Sequence, residues 1–132
     1  FLHLLIPRFT LPADLDPNAL SSDPEIGKAY KEDPLVHNRI SYSLFRMSVE
    51  IGQWAVNNAF LISVPTLVYH GTEDKLTSCE ASREFAQKGG DNIHLKIWEN
   101  MRHETHNEKR KEDVLNYVNS WITSIIHRPL TI

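Results

Sequence analysis

One cysteine, Cys79, stands among 132 residues, so no internal disulfide framework holds this chain together. That shortage leaves the compartment open, with a lean to the cytoplasm. Five glycines are present, and none falls in a G-x-G-x-x-G or G-x-x-x-x-G-K pattern, which removes the common nucleotide cradles. Nothing in the sequence asks for a cofactor. There is no basic excess either: 14 Lys plus Arg against 17 Asp plus Glu give a formal charge of −3, without the footprint of a nucleic-acid binder. The apolar runs, residues 4–6 and 64–69, fall far short of the roughly 18 residues of a membrane span. The opening Phe-Leu-His-Leu-Leu-Ile-Pro lacks the basic start and the cleavage site of a signal peptide. Because the chain opens on Phe1 rather than Met, these residues read as the tail of an element that begins upstream. What is present is an ordinary globular balance, 41% apolar and 23% charged, at one domain's length.

The two halves differ in texture. Pro7, Pro12, Pro17 and Pro24 crowd the first 24 positions and Pro34 follows, punctuation that suits short helices and irregular pieces rather than a sheet. Asp23-Pro24-Glu25 is a good helix start, and Pro34 ends that helix near Asp33. Ile40, Leu44, Met47, Ile51, Trp54 and Asn58 recur at helical spacing with Ser41 as a cap, so residues 40–61 read as a helix packed on a core, or one that also lines an apolar site. The second half alternates. The run Val64-Pro-Thr-Leu-Val-Tyr-His70 reads as a buried parallel strand with Pro65 at its edge. Residues 80–88 read as a helix closed by Gly89 and Gly90, and Ile93, Leu95 and Ile97 as a second strand. Residues 99–107 form a polar loop, and the stripe from Val114 to Ile125 is a long helix stopped before Pro129. Strand, helix, strand and helix in that order predict two parallel strands, an α/β arrangement.

In parallel sheets, chemistry collects in loops at the carboxyl ends of strands. Here one such loop carries Asp74 and the other His103. A carboxylate beside an imidazole fixes the ring tautomer and stabilises its charged form, so the ring can act as a general base. Plainer readings stand beside this one. An Asp in a Gly-Thr-Glu-Asp turn commonly bonds its own backbone, and loop histidines are commonly solvated. His103 and His106 lie three apart in a loop rather than four apart on a helix, which argues against a metal pair. His70 and Cys79 read as structural. Lys109-Arg110-Lys111, followed at once by Glu112 and Asp113, reads as a solvated helix start.

The stretch from Val64 through His70-Gly71-Thr72-Glu73-Asp74 resembles the acid strand and loop of α/β-hydrolases. Trp98, His103-Glu104, Asn107-Glu108, Val114, Val118 and Trp121-Ile122 resemble their histidine loop and last helix. The H-E-x-x-N-E pattern is similar to that of the monoacylglycerol lipase and lysophospholipase-like branch, also described as the serine aminopeptidase family. Leu15-Asp16-Pro17, Leu20-Ser21-Ser22-Asp23-Pro24 and Lys31-Glu32-Asp33-Pro34-Leu35-Val36 resemble its helical cap. The resemblance implies a partial α/β-hydrolase fold. It would hold the last two parallel strands with flanking helices, after a cap segment and without the N-terminal half of the sheet. The implied division is a cap over residues 1–60 and a core portion over 61–132.

By the same resemblance, Asp74 is the triad acid and His103 the triad base. The serine of G-x-S-x-G is absent, because no serine here is flanked by glycines at both second positions. The implied activity of the complete protein is cleavage of carboxylic esters of small lipids, and this chain alone would be inactive. Leu4, Leu5, Ile6, Phe9, Leu11, Phe45, Met47 and Trp54 make the cap-like half apolar, which suits an acyl chain. The alternative is a non-catalytic interaction module. An exposed sheet edge would then pair with the missing N-terminal portion or with a second copy.

Overall fold

The computed structural model of the protein describes residues 9–13 and 15–127. The expected opening element, with Leu4, Leu5 and Ile6, and the expected stop at Pro129 lie outside the described residues.

The proline-rich half holds one surprise. Strands β1 (Thr10–Pro12) and β2 (Arg39–Ser41) pair antiparallel, Thr10 opposite Ser41 and Pro12 opposite Arg39. The expectation of no sheet in this half is therefore corrected. Proline is tolerated because the ribbon has only two three-residue strands and both are edges. The Arg39 guanidinium pins the pair by donating from Nε to Thr10 Oγ1 and from Nη2 to the Thr10 carbonyl, each at 2.7 Å. Between the strands, α1 (Pro24–Glu32) starts on the Asp23 cap, whose carboxylate accepts from Glu25 N at 3.1 Å, and ends one residue before Pro34's neighbour Asp33 would leave helical geometry.

Helix α2 (Tyr42–Asn57) starts on Ser41, whose hydroxyl accepts from Leu44 N at 3.1 Å. Ile40 belongs to β2 rather than to this helix. The expected apolar stripe is present but uncovered: Leu44, Met47, Ile51 and Trp54 are each at least half exposed, and no residue of α2 is buried. A helix packed on a core is thus not what the described residues show.

The second half follows the expected order: β3 (Thr66–Gly71), α3 (Cys79–Gly89), β4 (Ile93–Trp98) and α4 (Lys111–Ile126). The strand starts just after Pro65, which spares the ladder a missing donor. Strands β3 and β4 run parallel in register, Thr66 opposite Ile93 through Gly71 opposite Trp98. Gly90 closes α3 at φ 61°, a backbone conformation that side chains with a Cβ rarely adopt. The small core lies where β4 meets α4. Val114 is fully buried against Trp98 and Met101, with Tyr117 and Val118 packed around them. Tyr117 meets Trp98 edge to face at 5.7 Å. This core seats the loop after β4, so packing at the base of that loop fixes where its polar residues emerge.

Candidate active site

Strand β3 delivers Asp74 three residues beyond its end. The Asp74 side chain is 2% exposed and its hydrogen bonds are numerous. Oδ1 accepts from the backbone of Leu76 at 2.7 Å and of Thr77 at 3.0 Å. Oδ2 accepts from the Thr77 hydroxyl at 2.7 Å and lies 2.9 Å from His103 Nδ1. Burial alone would push this carboxyl up. The bonds from Thr77, His103 and Leu76 outweigh it and bring the group down from 3.8 to about 2. Asp74 is therefore ionised at neutral pH and can only accept, so His103 Nδ1 carries the proton and Nε2 holds the free lone pair. That is the tautomer a general base needs.

The two loops are stitched together next to this pair. Thr72 N donates to the Trp98 carbonyl at 3.0 Å, Glu73 N to the Met101 carbonyl at 2.9 Å, and Asn100 N to Thr72 Oγ1 at 2.9 Å. The structure thus brings together the two site residues read from the sequence, Asp74 and His103, although His103 itself stays 36% exposed.

His70, read as structural, packs beside the pair. Its Nδ1 lies 2.8 Å from Ser82 Oγ and its Nε2 3.0 Å from Asp74 Oδ2, though Nε2 is not aligned for a hydrogen bond. Cys79 is a free, half-buried thiol at the first residue of α3. His106 sits in a single 3-10 turn, Thr105–Asn107. No group of three metal-ligating side chains occurs among the described residues, and none of their helices is long and apolar enough to cross a membrane. The basic run after Glu108 is a mixed-charge helix start, with Arg110 Nη2 2.6 Å from the Asp113 carboxylate. Sequence reasoning missed Thr77 and the part played by Glu108. The second was visible only as the last letter of H-E-x-x-N-E.

Glu108 is 3% exposed. Burial would push its carboxyl up too, but bonds from the Ser22 hydroxyl and from the backbone of Arg102, Ser22 and Lys109 hold it below the usual value. Both carboxylates therefore favour the folded state above their unfolded values, and that contribution drains away as pH falls through the lowered ones. We expect stability to be level above about pH 5 and to decline between about pH 5 and pH 2, with Asp74 supplying about 2 kcal/mol of the loss. Urea titrations at stepped pH would show this. A stability that stayed flat to pH 2 would contradict the bonding described.

A groove of about 650 Å³ runs between α2 and α3, with Val49, Val56, Val68 and Phe85 on its apolar walls. Thr77, whose hydroxyl holds Asp74, is among the residues that line it.

Several known proteins resemble this chain. A monoacylglycerol lipase from Mycolicibacterium smegmatis is 36% identical over 113 residues, covering 84% of this chain and 40% of that protein. An uncharacterized abhydrolase domain-containing protein from Dictyostelium discoideum is 35% identical over 120 residues, 89% of this chain and 13% of its own length. Among solved structures, the Paleococcus ferrophilus monoacylglycerol lipase superposes with a TM-score of 0.76 at 28% identity, over 93% of this chain and 50% of that one. A soluble variant of monoglyceride lipase from Saccharomyces cerevisiae, in complex with a substrate analog, shares the fold at a TM-score of 0.82 and 21% identity, over 93% and 44%. The chain therefore spans half or less of the length of these relatives and neighbours. A family model described as serine aminopeptidase, S33, matches residues 1–110. With acid and imidazole at the ends of adjacent parallel strands and this match over most of its length, the chain belongs to the serine aminopeptidase S33 family of α/β-hydrolases, as a part similar to the C-terminal portion of monoacylglycerol lipases.

Proposed function

We propose that the complete protein is a serine hydrolase that cleaves carboxylic esters of small lipids, such as monoacylglycerols or lysophospholipids. The observation that carries this is the 2.9 Å bond from His103 Nδ1 to a buried, ionised Asp74. In this reading residues 1–60 act as a cap and residues 61–132 as the carboxyl-terminal part of the core. The nucleophilic serine comes from a portion that this chain does not span.

The chemistry then follows from the pair. His103 Nε2 takes the serine proton as the oxygen attacks the acyl carbonyl, and Asp74 stabilises the imidazolium that forms. The imidazolium returns the proton to the leaving alcohol. Water, deprotonated by the same nitrogen, then releases the fatty acid from the acyl-enzyme. The apolar groove beside Thr77 supports an acyl substrate, as do relatives that carry the name monoacylglycerol lipase.

A fluorophosphonate probe, which traps an activated serine, tests this directly. The complete protein should label and hydrolyse a monoacylglycerol, His103→Ala should do neither at a measurable rate, and the 132-residue chain alone should stay unlabelled. A complete protein that ignores the probe would sink the proposal. One that cleaved peptides in preference to esters would move the activity to an aminopeptidase.

A second reading, a non-catalytic module, is favoured by one feature. Among the described residues β3 pairs only with β4, which leaves the sheet edge open, and the apolar face of α2 is exposed as well. The edge would take the upstream portion of the sheet or a second copy of the chain. Denaturing mass near 15.2 kDa together with a dimeric native size would support it, and a well-folded monomer would oppose it.

A further inference from the structure

The histidine loop has almost no regular structure of its own. Between β4 and α4 it contains only the single turn Thr105–Asn107, and its exposed His103 must nevertheless meet Asp74 within a few tenths of an ångström. The loop is instead gripped by a segment from the other half of the chain. Glu104 N donates to the Leu20 carbonyl at 2.8 Å, and His103 N lies 3.4 Å from the Ala19 carbonyl. Arg102 Nη1 donates to the carbonyls of Asn18 at 2.6 Å and Ser21 at 2.8 Å. Ser21 Oγ donates to the Asn107 carbonyl at 2.9 Å.

Glu108 ties this grip from the inside. Its carboxylate accepts from Ser22 N, 3.1 Å from each oxygen, from the Ser22 hydroxyl, and from Arg102 N at 2.8 Å. No cation among the described residues pairs with it. The nearby Arg102 guanidinium goes to backbone carbonyls instead. Burial strips this carboxylate of water, and neutral donors rather than a cation make good the loss. The same bonds supply direction. The carboxylate fixes the amide immediately before His103 and, at once, a residue 86 positions away.

We infer that Glu108 is a positioning residue for His103, acting through Arg102 N and Ser22, so that residues 17–22, inside the proposed cap segment, also hold the catalytic loop in place. The inference rests on the hydrolase reading above. Its consequence is a division of labour. Asp74 sets the tautomer of the imidazole, while the Glu108–Ser22 clasp sets where the ring stands. Loosening the clasp should spoil the reactive geometry and leave ground-state binding alone.

The test uses the complete protein with Glu108→Gln, Ser22→Ala, their combination and, as a control, Asp74→Asn. Misplacing a catalytic group by about 1 Å costs on the order of 100-fold in rate. We expect E108Q to lower kcat by about 10- to 100-fold with KM within about twofold, and S22A to lower it by a smaller factor. The double variant should be no worse than E108Q alone, because both substitutions break one connection. If E108Q keeps its kcat while D74N loses it, the positioning role is wrong and the hydrolase reading stands. If both keep full rate, the hydrolase reading has failed. The inference is then decided by the His103 Nδ1 proton resonance, which E108Q and S22A should shift or broaden in the same way if the clasp orders the ring, and leave alone if it does not. Should E108Q fail to fold, S22A decides by itself, since it removes a single hydroxyl. An S22A protein with unchanged kcat and an unchanged resonance would overturn the proposal.

Discussion

Replacing Asp74 by Asn should lower the turnover of the complete protein by about 10,000-fold while leaving the acid loop folded. The separation of the two effects follows from how the oxygens are used. Oδ1 holds the turn through the amides of Leu76 and Thr77, and an asparagine keeps that oxygen. Oδ2 meets His103 Nδ1 and the Thr77 hydroxyl, and here asparagine places an NH2 group. An NH2 can only donate, so the ring must turn Nδ1 into the acceptor and carry its proton on Nε2. The nitrogen that should accept the serine proton is then already protonated. A 10,000-fold loss corresponds to about 5.4 kcal/mol of transition-state stabilisation, far more than the roughly 2 kcal/mol of folding stability lost with the charge. Steady-state hydrolysis of a short soluble ester, with circular dichroism to confirm folding, separates the two. A D74N protein that retained a tenth of the wild-type rate would remove Asp74 from the chemistry.

How far the sequence foretold this site depended on how local each feature is. The caps at Asp23 and Ser41 lie within three residues of the amides they hold, and Pro24 and Gly90 state their backbone preferences outright, so helix boundaries were readable to within a few residues. Alternation at Ile93, Leu95 and Ile97 marked β4, and strand-helix-strand order was enough to make β3 and β4 parallel. The β1–β2 ribbon was not legible. Three residues give no period, and its existence depends on Thr10 finding Ser41 across most of the proline-rich half. Exposure of α2 was also hidden, because a periodic stripe tells which face is apolar and not whether anything covers it. The closeness of Asp74 and His103 was legible because topology puts successive strand ends side by side and the surrounding motifs resemble a known family. Glu108 was in plain view within such a motif, but its partner Ser22 lies 86 residues away, and nothing in a linear pattern joins the two.

The stitching between the two loops explains why β3 ends on glycine, and it makes Gly71→Ala the most damaging conservative change we foresee. A Cβ at Gly71 would overlap the carbonyl oxygens of both Met101 and Arg102, backbone atoms that no rotamer change can move aside. Relief requires the end of β3 and the histidine loop to separate. That motion would break the bonds from Thr72 N, Glu73 N and Asn100 N that cross at this point. Overpacking alone costs typically about 1–3 kcal/mol, and the strained bonds add to it, so we expect about 3 kcal/mol or more. Asp74 and His103 sit on the two separating loops, so activity should fall along with stability. Gly52→Ala supplies the contrast. An added Cβ there meets nothing within 4 Å, and the position lies inside α2, where alanine is the better helix former by about 1 kcal/mol. Thermal melts of the two variants should therefore move in opposite directions, G71A down and G52A level or up. A G71A protein as stable as wild type would mean that the loops approach each other less closely than the 2.9 Å bond between their site residues requires.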